Sequence, residues 1–100
     1  MPDLLFVYGT LRSGFDNAAA RRLRASAQFA DYAHLRGSVT DLGPYTGYRP
    51  GSAGEVPGEL WRFDETSGIL AVLDEYEGSE FERVATETTD GRRAWVYRLL

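Results

Sequence analysis

Leu4 to Tyr8 form a short run of branched and aromatic residues, the pattern of a buried strand. The run breaks at once into Gly9, Thr10, Leu11, Arg12, Ser13 and Gly14, where two glycines permit backbone angles that other residues avoid. A turn of small residues after a strand can aim backbone N–H groups at a ligand. Asp16 and Asn17 then cap a short helix through about Arg24, in which Ala18, Ala19 and Ala20 favour helix and Leu23 is the apolar anchor. From Ala27 to Leu42 the apolar positions Phe29, Tyr32, Leu35 and Val39 alternate irregularly, predicting one or two strands around Gly37.

The stretch from Gly43 to Pro57 is rich in glycine and holds three of the four prolines, so it is predicted to be a long loop. It reads equally as a functional rim and as a plain connector, and Tyr45 and Tyr48 either line a pocket or pin the loop down. "GELWRF", Gly58 to Phe63, reads as a strand with Leu60 and Phe63 or Trp61 inward. Asp64 caps a second helix whose buried face is Ile69, Leu70, Leu73 and Tyr76, and Gly78 ends it. Phe81 to Thr88 and Arg92 to Leu99 flank "TDG" and form an antiparallel hairpin. The sum is an α+β domain of five or six strands and two helices, its curled sheet expected to close into a small barrel.

Composition narrows the chemistry. One hundred residues suit one domain, spanning 1–100, with a single modest core. No lysine and no cysteine is present, so Schiff-base, thiolate and cysteine-metal chemistry are all excluded. His34, alone among polar neighbours, reads as structural or exposed. A net charge of −4 with no basic stripe beyond Arg21, Arg22 and Arg24 argues against a nucleic-acid partner, and no segment suggests membrane binding. Nothing near the N-terminus has the pattern of a signal peptide, and a cytoplasmic location is expected.

Carboxylates are therefore the best candidates for proton transfer. In "LDEYEGSEFER", Leu73 to Arg83, the side chains of Asp74, Glu75 and Glu77 crowd a helix C-terminus, where the peptide dipole disfavours anions and raises a carboxyl's pKa. Such a group is either a proton shuttle facing a partly dry pocket or part of a solvated acidic helix end.

"YGTLRSG" (Tyr8 to Gly14), Asn17, "GELW" (Gly58 to Trp61), "LDEYEG" (Leu73 to Gly78), "FER" (Phe81 to Arg83) and "AWVY" (Ala94 to Tyr97) together resemble the γ-glutamylcyclotransferase-like, or AIG2-like, family, over nearly the whole chain and in the same order. The resemblance implies a small closed mixed β-barrel of five to seven strands flanked by two helices. It implies release of 5-oxoproline and a free amine from a small γ-glutamyl compound, by intramolecular attack, with no cofactor and no metal. It assigns Glu77 as the catalytic acid and base, and Tyr8, Gly9, Thr10, Leu11, Arg83 and Tyr97 as substrate-binding residues.

Tyr97 has a second reading as a packed hairpin aromatic, and Arg83 as a partner of Glu75 or Glu82. Asp74 reads as structural. Phe81 stands where many relatives have tyrosine and Thr46 where a proline is common, changes at the pocket rim that leave the amine and the oligomeric state open. Two alternatives stand beside the enzyme: a binding module without turnover on the same barrel, and removal of a γ-glutamyl group from a larger amine in a biosynthetic pathway.

Overall fold

The computed structural model of the chain describes residues 2–8, 18–41 and 46–100. The elements run β1 (Leu4–Val7), α1 (Ala18–Ser26), β2 (Ala27–Asp41), β3 (Thr46–Phe63), a 3-10 turn (Glu65–Ser67), α2 (Ile69–Glu77), β4 (Phe81–Glu87) and β5 (Arg93–Leu99). The predicted α+β arrangement of five strands and two helices is the one observed. Asp16, Asn17 and Tyr45, to which capping and pocket roles were assigned, lie outside the described residues.

The strands form one mixed sheet in the order β2-β3-β1-β5-β4, with β1 antiparallel to β3 and parallel to β5. β1 is continuously apolar because both of its faces are buried. Leu5 and Val7 face the helices, where they meet Leu23 of α1, Leu73 of α2, Trp61 and Tyr97. Leu4 and Phe6 face the concave side of the curled sheet with Leu35, Tyr48, Leu60 and Val96. Gly58 lies against this strand so closely that a Cβ would overlap the Phe6 ring and the Val7 carbonyl.

Two expectations are corrected. The long loop predicted from Gly43 is strand from Thr46 onward, because its residues pair with β2 along most of their length. The glycine-rich part is absorbed as an irregularity: the register jumps from Arg36↔Glu55 to Gly37↔Pro50, leaving 51–54 outside it. Gly37, at φ 142°, turns β2 at that point, and a Cβ there would run into the Arg49 carbonyl.

The barrel, in turn, is not closed. A single parallel bridge between Tyr48 and Arg98 bends the long β3 onto β5, but β2 and β4 remain the outer strands with no ladder between them. A barrel closes only when the outer strands lie in register. Here the β4–β5 turn spans the gap instead. The Thr89 N–H donates to the His34 carbonyl at 2.9 Å, and the Arg92 guanidinium donates to Asp31 and to the Tyr32 carbonyl. These contacts cover part of the exposed β2 edge without extending the sheet.

α2 is built much as its spacing predicts. Asp64 accepts a hydrogen bond from the Thr66 N–H and caps the 3-10 turn rather than α2 itself. Gly68, at φ 72°, then redirects the chain into α2, which buries Ile69 and Leu73 against the sheet, while Tyr76 is exposed. Gly78, at φ 81°, ends the helix and turns the chain towards β4.

Candidate functional site

Tyr8 leaves the end of β1 and is held by the backbone of two neighbouring strands. Its hydroxyl donates to the Tyr97 carbonyl at 2.8 Å and accepts from the Tyr48 N–H at 2.9 Å. Tyr48 is itself buried, its hydroxyl donating to the Arg36 carbonyl at 2.6 Å, so it is a strand residue of the concave core and not a loop anchor. β1, β3 and β5 are thereby tied together just past the end of β1. Gly9, Thr10 and Leu11, together with Arg12 and Ser13, lie outside the described residues.

Glu77 is the last residue of α2 and is half-buried. Burial pushes its carboxyl up to about 7, because an anion there loses water that the protein does not replace. The Tyr8 and Tyr97 phenols both stand near enough to feel its charge, which helps hold them protonated. For each phenol burial is the larger cause, and it keeps both well above the ordinary tyrosine range. Glu77 at the end of α2, Tyr8 just past β1 and Tyr97 of β5 thus share one electrostatic environment.

Asp74 lies one turn earlier on α2, on the same side as Glu77. It accepts from the Tyr97 hydroxyl at 2.6 Å, and Arg83 grips it with Nε at 2.8 Å and a terminal nitrogen at 3.2 Å. The Arg83 guanidinium also stacks 4.4 Å above the Trp95 ring. Burial works against the Asp74 charge, but the hydrogen bonds from Arg83 and Tyr97 outweigh it and hold the carboxyl below its usual range. Arg83 therefore pairs with Asp74, and not with the Glu75 or Glu82 that its sequence neighbourhood suggested.

Glu59 was not singled out from the sequence, yet among the described residues it is one of two buried polar ones, at 6% exposure. It sits opposite Val7 in the ladder and accepts from the Trp61 indole N–H at 3.1 Å. The signal lay in strand alternation, which puts Glu59 on the same face as Trp61 and Phe63. His34 is exposed, and its backbone carbonyl accepts the Thr89 N–H.

Among the described residues no group of three His, Asp or Glu side chains is placed to hold a metal ion. None of their helices is long and apolar enough to cross a membrane. An open cleft of about 850 Å³ lies at the far end of the sheet, around Arg24, Gln28, Asp64 and the exposed Arg62–Asp3 ion pair. Its lining includes none of Tyr8, Glu59, Asp74, Glu77, Arg83 and Tyr97.

The fold itself has solved counterparts. An uncharacterised protein of Pyrococcus horikoshii superposes with a TM-score of 0.75 at 22% identity, over 96% of this chain and 76% of that one. YkqA of Bacillus subtilis gives 0.78 at 26% identity, with 99% of this chain covering only 36% of the larger protein. An AIG2-like protein of Mus musculus gives 0.78 at 25% identity, over 96% of this chain and 76% of that one. No curated protein matches the chain. The family model for gamma-glutamyl cyclotransferase, AIG2-like, matches residues 5–99, from β1 through the helix-end carboxylates to the last residue of β5, and the chain belongs to that family.

Proposed function

We propose that this protein is a γ-glutamyl cyclotransferase-type enzyme, releasing 5-oxoproline and a free amine from a small γ-glutamyl compound, with Glu77 as its acid and base. The observation that carries this reading is the Glu77 carboxyl at the end of α2, buried beside Tyr8 and Tyr97 and titrating at about 7. A group with that affinity is populated in both states near neutrality, so it can take up a proton and give it back in one turnover.

As a carboxylate, Glu77 takes a proton from the substrate's α-amino nitrogen while that nitrogen bonds to the γ-carbonyl carbon. It returns the same proton to the leaving nitrogen as the original amide C–N bond breaks. No water is consumed, and the ring closes within one molecule, so holding the folded substrate conformer supplies much of the rate. In this reading the backbone N–H groups of Gly9, Thr10 and Leu11 receive the oxyanion that develops on the γ-carbonyl. Tyr8, Tyr97 and Arg83 form the wall beside the reacting atoms.

The test is 5-oxoproline release from γ-glutamyl dipeptides, γ-glutamyl-ε-lysine and glutathione, run beside Glu77→Gln. Product from one class, abolished in the variant, supports the reading and identifies the amine class. Calorimetric binding of a γ-glutamyl compound without product would reject turnover in favour of a binding module.

A further inference from the structure

Arg98, on β5, has no part in the reaction proposed above. Leu5 pairs with Trp95 in the parallel β1–β5 ladder, so three residues further along each chain Tyr8 and Arg98 stand level with one another. Ala94 and Val96 face the concave side of the sheet, and strand alternation places Arg98 on that side too, where it is the bridge partner of Tyr48. The Tyr8 and Tyr48 rings lie 5.9 Å apart on the same face. Burial raises the Tyr48 phenol above its ordinary value, and the Arg98 charge pulls it part of the way back. The two residues that hold the Tyr8 hydroxyl, Tyr48 and Tyr97, are thus the bridge partner and the chain neighbour of Arg98.

Two other half-buried arginines hold carboxylates: Arg83 binds Asp74, and Arg92 binds Asp31 and Asp90. Arg98 is half-buried as well, yet its Nε is sheltered from solvent without a hydrogen-bond partner. Among the described residues no carboxylate lies within ion-pair distance of it. Glu82 stands directly opposite in the β4–β5 ladder, where unlike charges normally attract, but it is exposed and makes no ion pair with Arg98. A guanidinium N–H that is sheltered and unpaired costs stability, so its place beside Tyr8 suits an acceptor that arrives with the substrate.

We infer that Arg98 is a substrate-binding residue, its guanidinium taking a carboxylate of the γ-glutamyl compound on the concave side of Tyr8. The identity of the compound rests on the cyclotransferase reading. A guanidinium matches a carboxylate with two parallel N–H bonds. A γ-glutamyl amino acid offers two such groups, the α-carboxylate of the glutamyl part and the carboxylate of the leaving amino acid. Neither takes part in ring closure, so either is free to be held.

The experiment compares amine release from three compounds by the full-length chain, wild type and Arg98→Met. γ-Glutamylalanine carries both carboxylates, γ-glutamylethylamide lacks the one on the leaving amine, and N-(4-aminobutanoyl)alanine lacks the α-carboxylate. Arg98→Met is expected to lower kcat/KM for γ-glutamylalanine by about tenfold to a hundredfold, mainly through KM. Where the leaving group's carboxylate is the one held, γ-glutamylethylamide is affected least; where it is the α-carboxylate, N-(4-aminobutanoyl)alanine is affected least. Either uneven pattern supports the inference and names the carboxylate.

Equal losses on all three compounds, or no loss on γ-glutamylalanine, overturn it. Should Arg98→Met fail to fold, Arg98→Lys decides, since it keeps the charge and loses the paired N–H bonds: an uneven loss supports the inference and a uniform one rejects it. Calorimetry of the same compounds with Glu77→Gln, with and without Arg98→Met, supplies a readout that needs no turnover. Binding that depends on a carboxylate and is lost in Arg98→Met, in a protein whose wild type releases no amine, would support Arg98 and reject the cyclotransferase reading. Turnover that is abolished by Glu77→Gln but indifferent to Arg98→Met would do the reverse.

Discussion

Asp74 and Glu77 leave the same helix one turn apart, and the fold drives them in opposite directions. Asp74 is the more exposed, its side chain at 43%, yet it is held below its ordinary range because Arg83 and Tyr97 both donate to it. Glu77 is more enclosed and has only burial acting on it, which lifts it to about 7. Two acidic residues in one short sequence acquire different chemistry from what they face. Charge density on the helix end is shared by both and cannot be the source of the difference.

The largest expected effect tests the Glu77 half of the contrast. Glu77→Gln keeps the shape and removes the base, so 5-oxoproline release should fall by about two to four orders of magnitude. Undiminished release would end the assignment.

Next in size is the support beneath the pair. Leu73, wholly buried and directly before Asp74 in sequence, anchors α2 to the sheet. Leu73→Ala should cost about 2–5 kcal/mol in denaturant unfolding. A cost well below that would mean the helix end is held by its polar contacts rather than by packing.

The pH dependence of stability separates the two residues by sign. The folded-state value of Glu77 is raised from 4.5 to about 7, so its contribution is fully present below 4.5 and is lost as pH rises through 7. Glu77→Gln should therefore be more stable than the wild type at pH 8, by about 2 kcal/mol, and the advantage should vanish near pH 4. Urea midpoints at the two pH values measure it, and equal midpoints at pH 8 would contradict a buried charge at this position.

Asp74 is expected to behave in the opposite way, on a smaller scale. Its folded value is depressed, so its contribution is present above the unfolded value and is lost as pH falls through the folded one. Asp74→Asn should cost about 1 kcal/mol at pH 7, discounted for solvent screening of an exposed pair, and less in acid. A stabilising Asp74→Asn at pH 7 would remove the contrast altogether.

Much of the architecture is legible in the chain because local rules and tertiary packing agree there. The apolar run of β1, the 69–77 helix ending at Gly78, and the hairpin around "TDG" each carry a periodicity or turn chemistry that packing reinforces. The order of motifs along the chain likewise identified the family. Glycine and proline misled between 46 and 57, where composition points to a loop. Pairing with β2 makes that segment a strand, since the ladder satisfies its backbone and the register jump takes up the glycines.

The remaining decisions were tertiary. Whether the sheet closes depends on the relation of β2 to β4, which are distant in sequence and are bridged by Thr89 and Arg92 of the β4–β5 turn. Which carboxylate receives Arg83 was likewise undetermined by spacing, because Asp74, Glu75, Glu77 and Glu82 all lie within reach of it along the chain. The sequence determined that acidic residues would gather at this helix end. The fold, by packing α2 against β4 and β5, decided that Asp74 would be paired and Glu77 buried, since desolvation and hydrogen bonding depend on neighbours that the linear order does not specify.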